Sequence, residues 1–270
     1  MVSEVGVNFR LTKWAMRLNQ NIDNNIIYPR LAKKLENSDV VFLNYGYEED
    51  PPMGIELSEF DEPNRYSIQL YHRTATQADL AGKDVLEIGC GHGGGASYVM
   101  RSLNPASYTA VDINREGIRF CVETHEIPGL RFMHGDAQDV PLADGSFDIV
   151  LNVESSHVYP DFPKFLSEVN RLLRPGGHFL YADLRPTSSA VSEWAEMLES
   201  APFELIEERN INEEVIRGMG PMLETWDSIA KRFLPSFFAN YAPRISPMRR
   251  NYKMMQDGKY EYRMYCFVKP

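Results

Sequence analysis

The sequence predicts an α/β fold built on an open, largely parallel sheet, and three observations carry that expectation. Between Lys83 and Pro186, short apolar runs alternate with helix-patterned segments, as they do when parallel strands are joined by crossover helices. The first run ends in Gly89-Cys90-Gly91-His92-Gly93-Gly94-Gly95, where glycine lets the backbone turn sharply and a ligand come close. Asp112 ends the second run and Asp136 follows the third, at the carboxyl edge of the strands where open α/β sheets hold ligands.

Each element follows in order. Residues 1–81 read as an N-terminal helical cap, because Leu11, Trp14, Leu18, Ile22 and Ile26 recur at near-helical spacing within 9–35, with Tyr28-Pro29 interrupting. Residues 82–212 read as the cofactor-binding core, with strands expected at 85–88, 108–111, 130–133, 147–153 and 178–182 and a further strand at 203–207. Phe162, Phe165, Leu166, Val169, Leu172 and Leu173 mark one helix, which Pro175-Gly176-Gly177 should stop. Residues 213–257 carry Met219, Met222, Trp226 and Phe237, too much apolar surface for a bare loop. A helical insertion acting as a lid is expected there, with 258–270 returning as the final core strand.

Composition narrows the class. With 43% apolar and 24% charged residues in a chain of 270, the protein is an ordinary globular chain. Its 28 basic and 38 acidic side chains leave a net charge of −10, which repels a polyphosphate and argues against a nucleic-acid partner. Cys90, Cys121 and Cys266 are odd in number and scattered, so neither a disulfide framework nor a metal site is expected. No run approaches the roughly 18 apolar residues of a spanning helix. The expected location is the cytoplasm, with at most peripheral membrane association.

Two ligands compete for the glycine loop. Gly89, Gly91 and Gly94 satisfy the dinucleotide pattern G-x-G-x-x-G, and Asp112 stands where such enzymes hold a ribose. The other candidate is S-adenosylmethionine, which carries a sulfonium and an ammonium and no phosphate. Glu87, just before the loop, would be awkward beside pyrophosphate and tolerable beside those cations. With Gly135-Asp136-Ala137 and Leu172-Leu173-Arg174-Pro175-Gly176-Gly177 added, the span 84–186 resembles the class I S-adenosylmethionine-dependent methyltransferases. The resemblance implies a Rossmann-like sheet and a set of cofactor contacts. Gly89, Cys90 and Gly91 would wrap the methionine tail, with Glu87 and Gly93 in the same loop site. Asp112 would hold the ribose, Ile113 would pack on adenine, and Asp136 with Ala137 would bind the adenine edge. Asn152 would lie near the methionine amine.

The acceptor side is read from the next strands. His157 follows the fourth strand and Asp183 leaves the fifth on the same edge. An imidazole there could take the proton of an alcohol, with Asp183 orienting it. Equally, His157 could be an ordinary loop residue and Asp183 a partner of Arg185, and Glu154 is a second candidate base. The runs Val41-Phe42-Leu43-Asn44-Tyr45-Gly46-Tyr47, Asp61-Glu62-Pro63-Asn64-Arg65, Tyr71-His72-Arg73-Thr74-Ala75-Thr76-Gln77 and Tyr262-Arg263-Met264-Tyr265-Cys266-Phe267 resemble the mycobacterial phthiotriol/phenolphthiotriol dimycocerosate methyltransferases, a family that includes fatty-acid O-methyltransferases. This implies that Tyr45 and Tyr71 stand near the active cleft. Met219, Trp226 and Phe237 would line an apolar acceptor slot, or else pack the lid on the core. The expected activity is O-methylation of a hydroxyl or carboxylate on a lipid or fatty-acid-like acceptor. The alternatives are a small-molecule or sugar O-methyltransferase and a cofactor-binding protein without turnover.

Overall fold

The computed structural model describes residues 40–187, 189–233 and 247–270. The expected helices of 9–35 and Phe237 lie outside the described residues. After a short helix α1 (Arg65–Ala75), strands and helices alternate: β1 (Asp84–Ile88), α2 (Gly94–Ser102), β2 (Ser107–Asp112), α3 (Arg115–Thr124), β3 (Leu130–His134), β4 (Phe147–Val153), α4 (Phe162–Leu172), β5 (Leu173–Pro186) and α5 (Ser189–Glu199). The chain continues through β6 (Glu204–Asn210), α6 (Asn212–Phe233), α7 (Pro247–Gln256) and β7 (Tyr260–Val268).

Seven strands form one sheet in the order β3-β2-β1-β4-β5-β7-β6. The first five run parallel, and β7 lies antiparallel between β5 and β6. Because successive strand residues face opposite sides, β1 serves two cores. Val85 joins Tyr108, Leu151, Leu180 and Tyr262 on one face, while Leu86 and Ile88 join Val150, Phe179 and Phe267 on the other. Near-continuous apolar strands are what a sheet covered on both faces requires. The second face includes stacked rings, Phe179 on Tyr181 at 5.2 Å and Tyr265 on Phe267 at 5.5 Å between centroids.

Helix α4 forms where the apolar spacing places it. Asp161 caps it by accepting from the Lys164 amide at 3.0 Å, and Phe162, Phe165, Leu166, Val169 and Leu172 are buried. The Pro-Gly-Gly turn differs from expectation, since it lies inside β5 instead of before it. Phe147 pairs with Leu173 and Ile149 with His178, so residues 174–177 bulge from the ladder. The bulge stays paired because Gly176 (φ +75°) donates to Lys269 O and Gly177 O accepts from the Lys269 amide.

The two helices between β6 and β7 pack on the first face, where Val215, Met219, Met248 and Met255 are buried. Arg249 of α7 pairs with Asp227 of α6 at 2.7 Å. Helix α6 also sits hard against residues 46–47: a Cβ on Gly218 would lie 2.2 Å from the Tyr47 amide nitrogen. Met219 therefore departs from its expected role. It is wholly inaccessible, so it fastens α6 to the sheet and lines no open slot. Trp226 is half-buried against the same cluster.

Candidate active site

The site begins where β1 ends. The chain turns through Gly89, Gly91 and Gly93 at φ +82°, +55° and +77°, a left-handed path that glycine follows without strain. The Gly89 and Cys90 amides donate to Val111 O at 2.7 and 3.1 Å, and the Gly94 amide at the start of α2 donates to Val41 O at 3.1 Å. Space also demands glycine here, since a Cβ on Gly89 would fall 2.4 Å from Ser155 Oγ and 2.7 Å from the Tyr159 hydroxyl. Cys90 is buried, and its thiol is pushed up by a hydrogen bond with the free Cys121 thiol and by burial. A raised thiol is a poor nucleophile.

Asp112 ends β2 beside this loop. Its Oδ2 accepts from the Gly91 amide at 2.9 Å and its Oδ1 from the Asn114 amide at 2.8 Å. Burial raises its carboxyl above the ordinary aspartate range, against the pull of these two bonds. Ile113 follows, 66% exposed at the rim. After β3, Asp136 Oδ1 accepts from the Gln138 amide at 2.9 Å, and Ala137 is buried behind it. At the end of β4, Asn152 is fully buried; its Nδ2 contacts Ile88 O, Ser155 Oγ and the Tyr159 hydroxyl, while its Oδ1 has no partner among the described residues.

On the same edge the structure brings His157 onto Asp183. His157 Nδ1 lies 2.8 Å from Asp183 Oδ1, and the His157 amide donates to Oδ2 at 2.9 Å. Ser156 Oγ donates to Oδ2 at 2.6 Å, and the Arg185 guanidinium stands 3.2 Å away. Both readings of Asp183, imidazole partner and arginine partner, hold together. Burial would raise its carboxyl, yet the charges of His157 and Arg185 and the hydrogen bonds from His157 and Ser156 hold it well below the usual range. Asp183 is inaccessible while the imidazole is 27% exposed, and His157 Nε2 has no hydrogen bond among the described residues. Arg185 in turn stacks 4.6 Å over the Trp194 ring.

The "Methyltransferase domain" family matches residues 86–181, the stretch holding the loop, both acids and Asn152. A fatty-acid O-methyltransferase of Mycolicibacterium smegmatis is 54% identical over 259 residues, covering 95% of this chain and 94% of that protein. The chain belongs to the class I S-adenosylmethionine-dependent methyltransferases. A phthiotriol/phenolphthiotriol dimycocerosates methyltransferase of Mycobacterium tuberculosis is 49% identical over 244 residues, 90% of each chain. Among solved structures, the cyclase SpnF superposes with a TM-score of 0.69 at 18% identity, over 93% of this chain and 96% of that one. That likeness concerns the fold alone, and one fold hosts many reactions.

Two residues expected at the methyltransferase's ligands turn inward instead. Glu87 is inaccessible, its oxygens accepting from the Tyr71 and Tyr108 hydroxyls at 2.8 and 2.9 Å. Tyr71, expected near the cleft, is thereby a core residue; its ring fills the space a Cβ on Gly95 would need, 2.0 Å away. The two side chains hydrogen-bond to each other in the core beneath the loop, which is why neither faces the ligand side. Tyr45 is half-buried, its amide donating to Glu154 and its hydroxyl accepting from Asn251 at 2.7 Å. Sequence reasoning passed over Ser155 and Tyr159, which close over Gly89; their place one turn beyond β4, at the ligand edge, was the available signal.

Burial pushes the Glu87 carboxyl up to about 7, from an ordinary value of 4.5. The folded enzyme then holds a proton that the unfolded chain releases. Stability present below pH 4.5 is lost as the pH rises towards 7, by roughly 3 kcal/mol. Glu87→Gln should flatten that slope in urea titrations run from pH 4.5 to 7.5. An unchanged slope would mean that Glu87 titrates alike in both states.

Proposed function

We propose that this methyltransferase transfers a methyl group to an oxygen of a long-chain, lipid-type acceptor, with His157 as general base when that oxygen is a hydroxyl. One observation carries the reading: Nδ1 of His157 is held by Asp183 while Nε2 has no partner among the described residues, the arrangement of a positioned base. The acceptor class is supported by the names of the two relatives, fatty-acid and phthiotriol methyltransferases.

The residues present fit the donor. Each Asp112 oxygen accepts one backbone amide and keeps a second lone pair for a ribose hydroxyl. Ile113 offers exposed apolar surface to adenine, with Asp136 and Ala137 at its edge. Gly89, Cys90, Gly91 and Gly93 form the cradle of the methionine tail, and the orphaned Asn152 Oδ1 would gain a donor from its ammonium. When bound, S-adenosylmethionine supplies a methyl group on a sulfonium, an electrophile that needs alignment more than activation. His157 takes the hydroxyl proton as the oxygen attacks, and Asp183 stabilises the imidazolium. Helices α6 and α7 serve as the lid, with Tyr45 and Trp226 towards the acceptor. The enzyme works in the cytoplasm, a placement supported by three buried free thiols.

Incubation with methyl-labelled donor and lipid extract, followed by mass spectrometry, tests this. A labelled O-methyl lipid is expected. Hydrolysis-free recovery of donor with every lipid fraction would leave the reading without support and end it.

A further inference from the structure

We propose that Glu154 is an acceptor-binding residue, donating a hydrogen bond to a second acceptor oxygen adjacent to the one that is methylated. The inference rests on the lipid O-methyltransferase reading above. Three observations place it there. Glu154 directly follows β4 with φ +50°, a left-handed backbone that a side-chain-bearing residue adopts at a cost of order 1–3 kcal/mol, as functional sites do. Its amide donates to Ala182 O at 2.8 Å, anchoring it beside Asp183 and three residues ahead of His157.

The carboxyl is asymmetric. The Tyr45 amide, from the segment 41–47, and the Tyr262 hydroxyl, from β7, both donate to Oε2, at 2.8 and 3.1 Å. Oε1 accepts nothing among the described residues. Both donors fall on Oε2, which leaves Oε1 as the oxygen that carries the proton when the carboxyl is neutral. The charged neighbour is Asp183 of β5, itself paired with His157 and Arg185, and no cation pairs with Glu154 among the described residues. Burial, with the Asp183 charge adding to it, pushes the Glu154 carboxyl up to about 8. At neutral pH Oε1–H is thus a fixed donor, half-buried, on the loop that carries the base.

A donor there has no use for an acceptor with one oxygen. It matches a carboxylate, or a hydroxyl flanked by a second hydroxyl or a carbonyl. Sites built to hydrogen-bond a substrate group discriminate strongly against analogues lacking it.

The test compares a long-chain fatty acid, a long-chain 1,2-diol and a 1-alkanol of equal length, using wild type, Glu154→Gln and Glu154→Met. Wild type should favour a two-oxygen acceptor over the alkanol by at least about tenfold in kcat/KM. Glu154→Gln keeps an uncharged donor and should keep the preference. Glu154→Met should remove it, raising KM for that acceptor about tenfold while the alkanol and S-adenosylhomocysteine affinity stay unchanged. Whether the fatty acid or the diol responds names the acceptor. Above pH 8 the wild-type preference should fade as Glu154 ionises, and the Gln variant should not follow. Equal losses on all three acceptors, or none, overturn the role of Glu154 alone. Wild-type inactivity on every acceptor overturns the lipid reading and this inference with it.

Discussion

Asp112→Ala is expected to weaken S-adenosylhomocysteine binding by roughly 3 kcal/mol, about a hundredfold, through loss of two charge-assisted hydrogen bonds to the ribose. The effect has a second source within the chain. Asp112 accepts the Gly91 amide at 2.9 Å, so the variant leaves that amide unpaired in a loop already held at positive φ. The glycine cradle should loosen as well as lose its ribose anchor. Asp112→Asn separates the two contributions. It retains one acceptor oxygen for a backbone amide but turns a donor towards the other amide, so binding should fall while stability falls less than in Asp112→Ala, which leaves both amides unpaired. Titration calorimetry of wild type and both variants decides the matter, and an affinity untouched in Asp112→Ala would remove the ribose assignment.

Legibility in the sequence followed the range of the interactions. The glycine loop, Asp112 and the five parallel strands are local features, each declared by residues within a few positions of one another. The strand expected at 147–153 has the observed bounds Phe147–Val153, and the last one matches Tyr260–Val268. His157 and Asp183 are 26 residues apart and still meet, because β4 and β5 are neighbours; His157 follows β4, while Asp183, expected just past the fifth strand, lies within β5, which runs on to Pro186. Once the sheet is assumed, that meeting follows.

What stayed hidden depends on side chains arriving from elsewhere. Glu87 was read as an anion beside the ligand, and only Tyr71 and Tyr108, 16 and 21 residues away, account for its burial. Glu154 looks like any acidic residue after a strand. Its partners Tyr45 and Tyr262 lie 109 and 108 residues off, beyond what periodicity or spacing records. Met219 has the right apolar character for a slot and for a core alike, and Gly46 with Gly218 decides for the core by letting α6 approach until Met219 is inaccessible. The carboxyl-edge geometry is thus encoded locally, and the electrostatics of the acceptor side are encoded by distant packing.

His157→Ala should lower kcat on a long-chain alcohol by about a hundredfold to ten-thousandfold, the usual worth of a positioned base, with S-adenosylhomocysteine affinity within error of wild type. Affinity is spared because the imidazole is tied to Asp183 and not to the glycine loop. On a fatty acid the same variant should lose far less, since a carboxylate is already anionic and has no proton to give up. Asp183→Asn makes a different defect. It removes the anion facing Nδ1 and strands Arg185, which is buried beside it, so stability should fall by about 3 kcal/mol along with turnover. The contrast between the two variants is therefore diagnostic. A base predicts that His157→Ala loses far more in kcat than in stability, because Asp183 keeps Arg185 and Ser156, whereas Asp183→Asn loses both. Were His157→Ala to methylate the alcohol at the wild-type rate, the imidazole would be a strap on Asp183 and the proton would leave by another route.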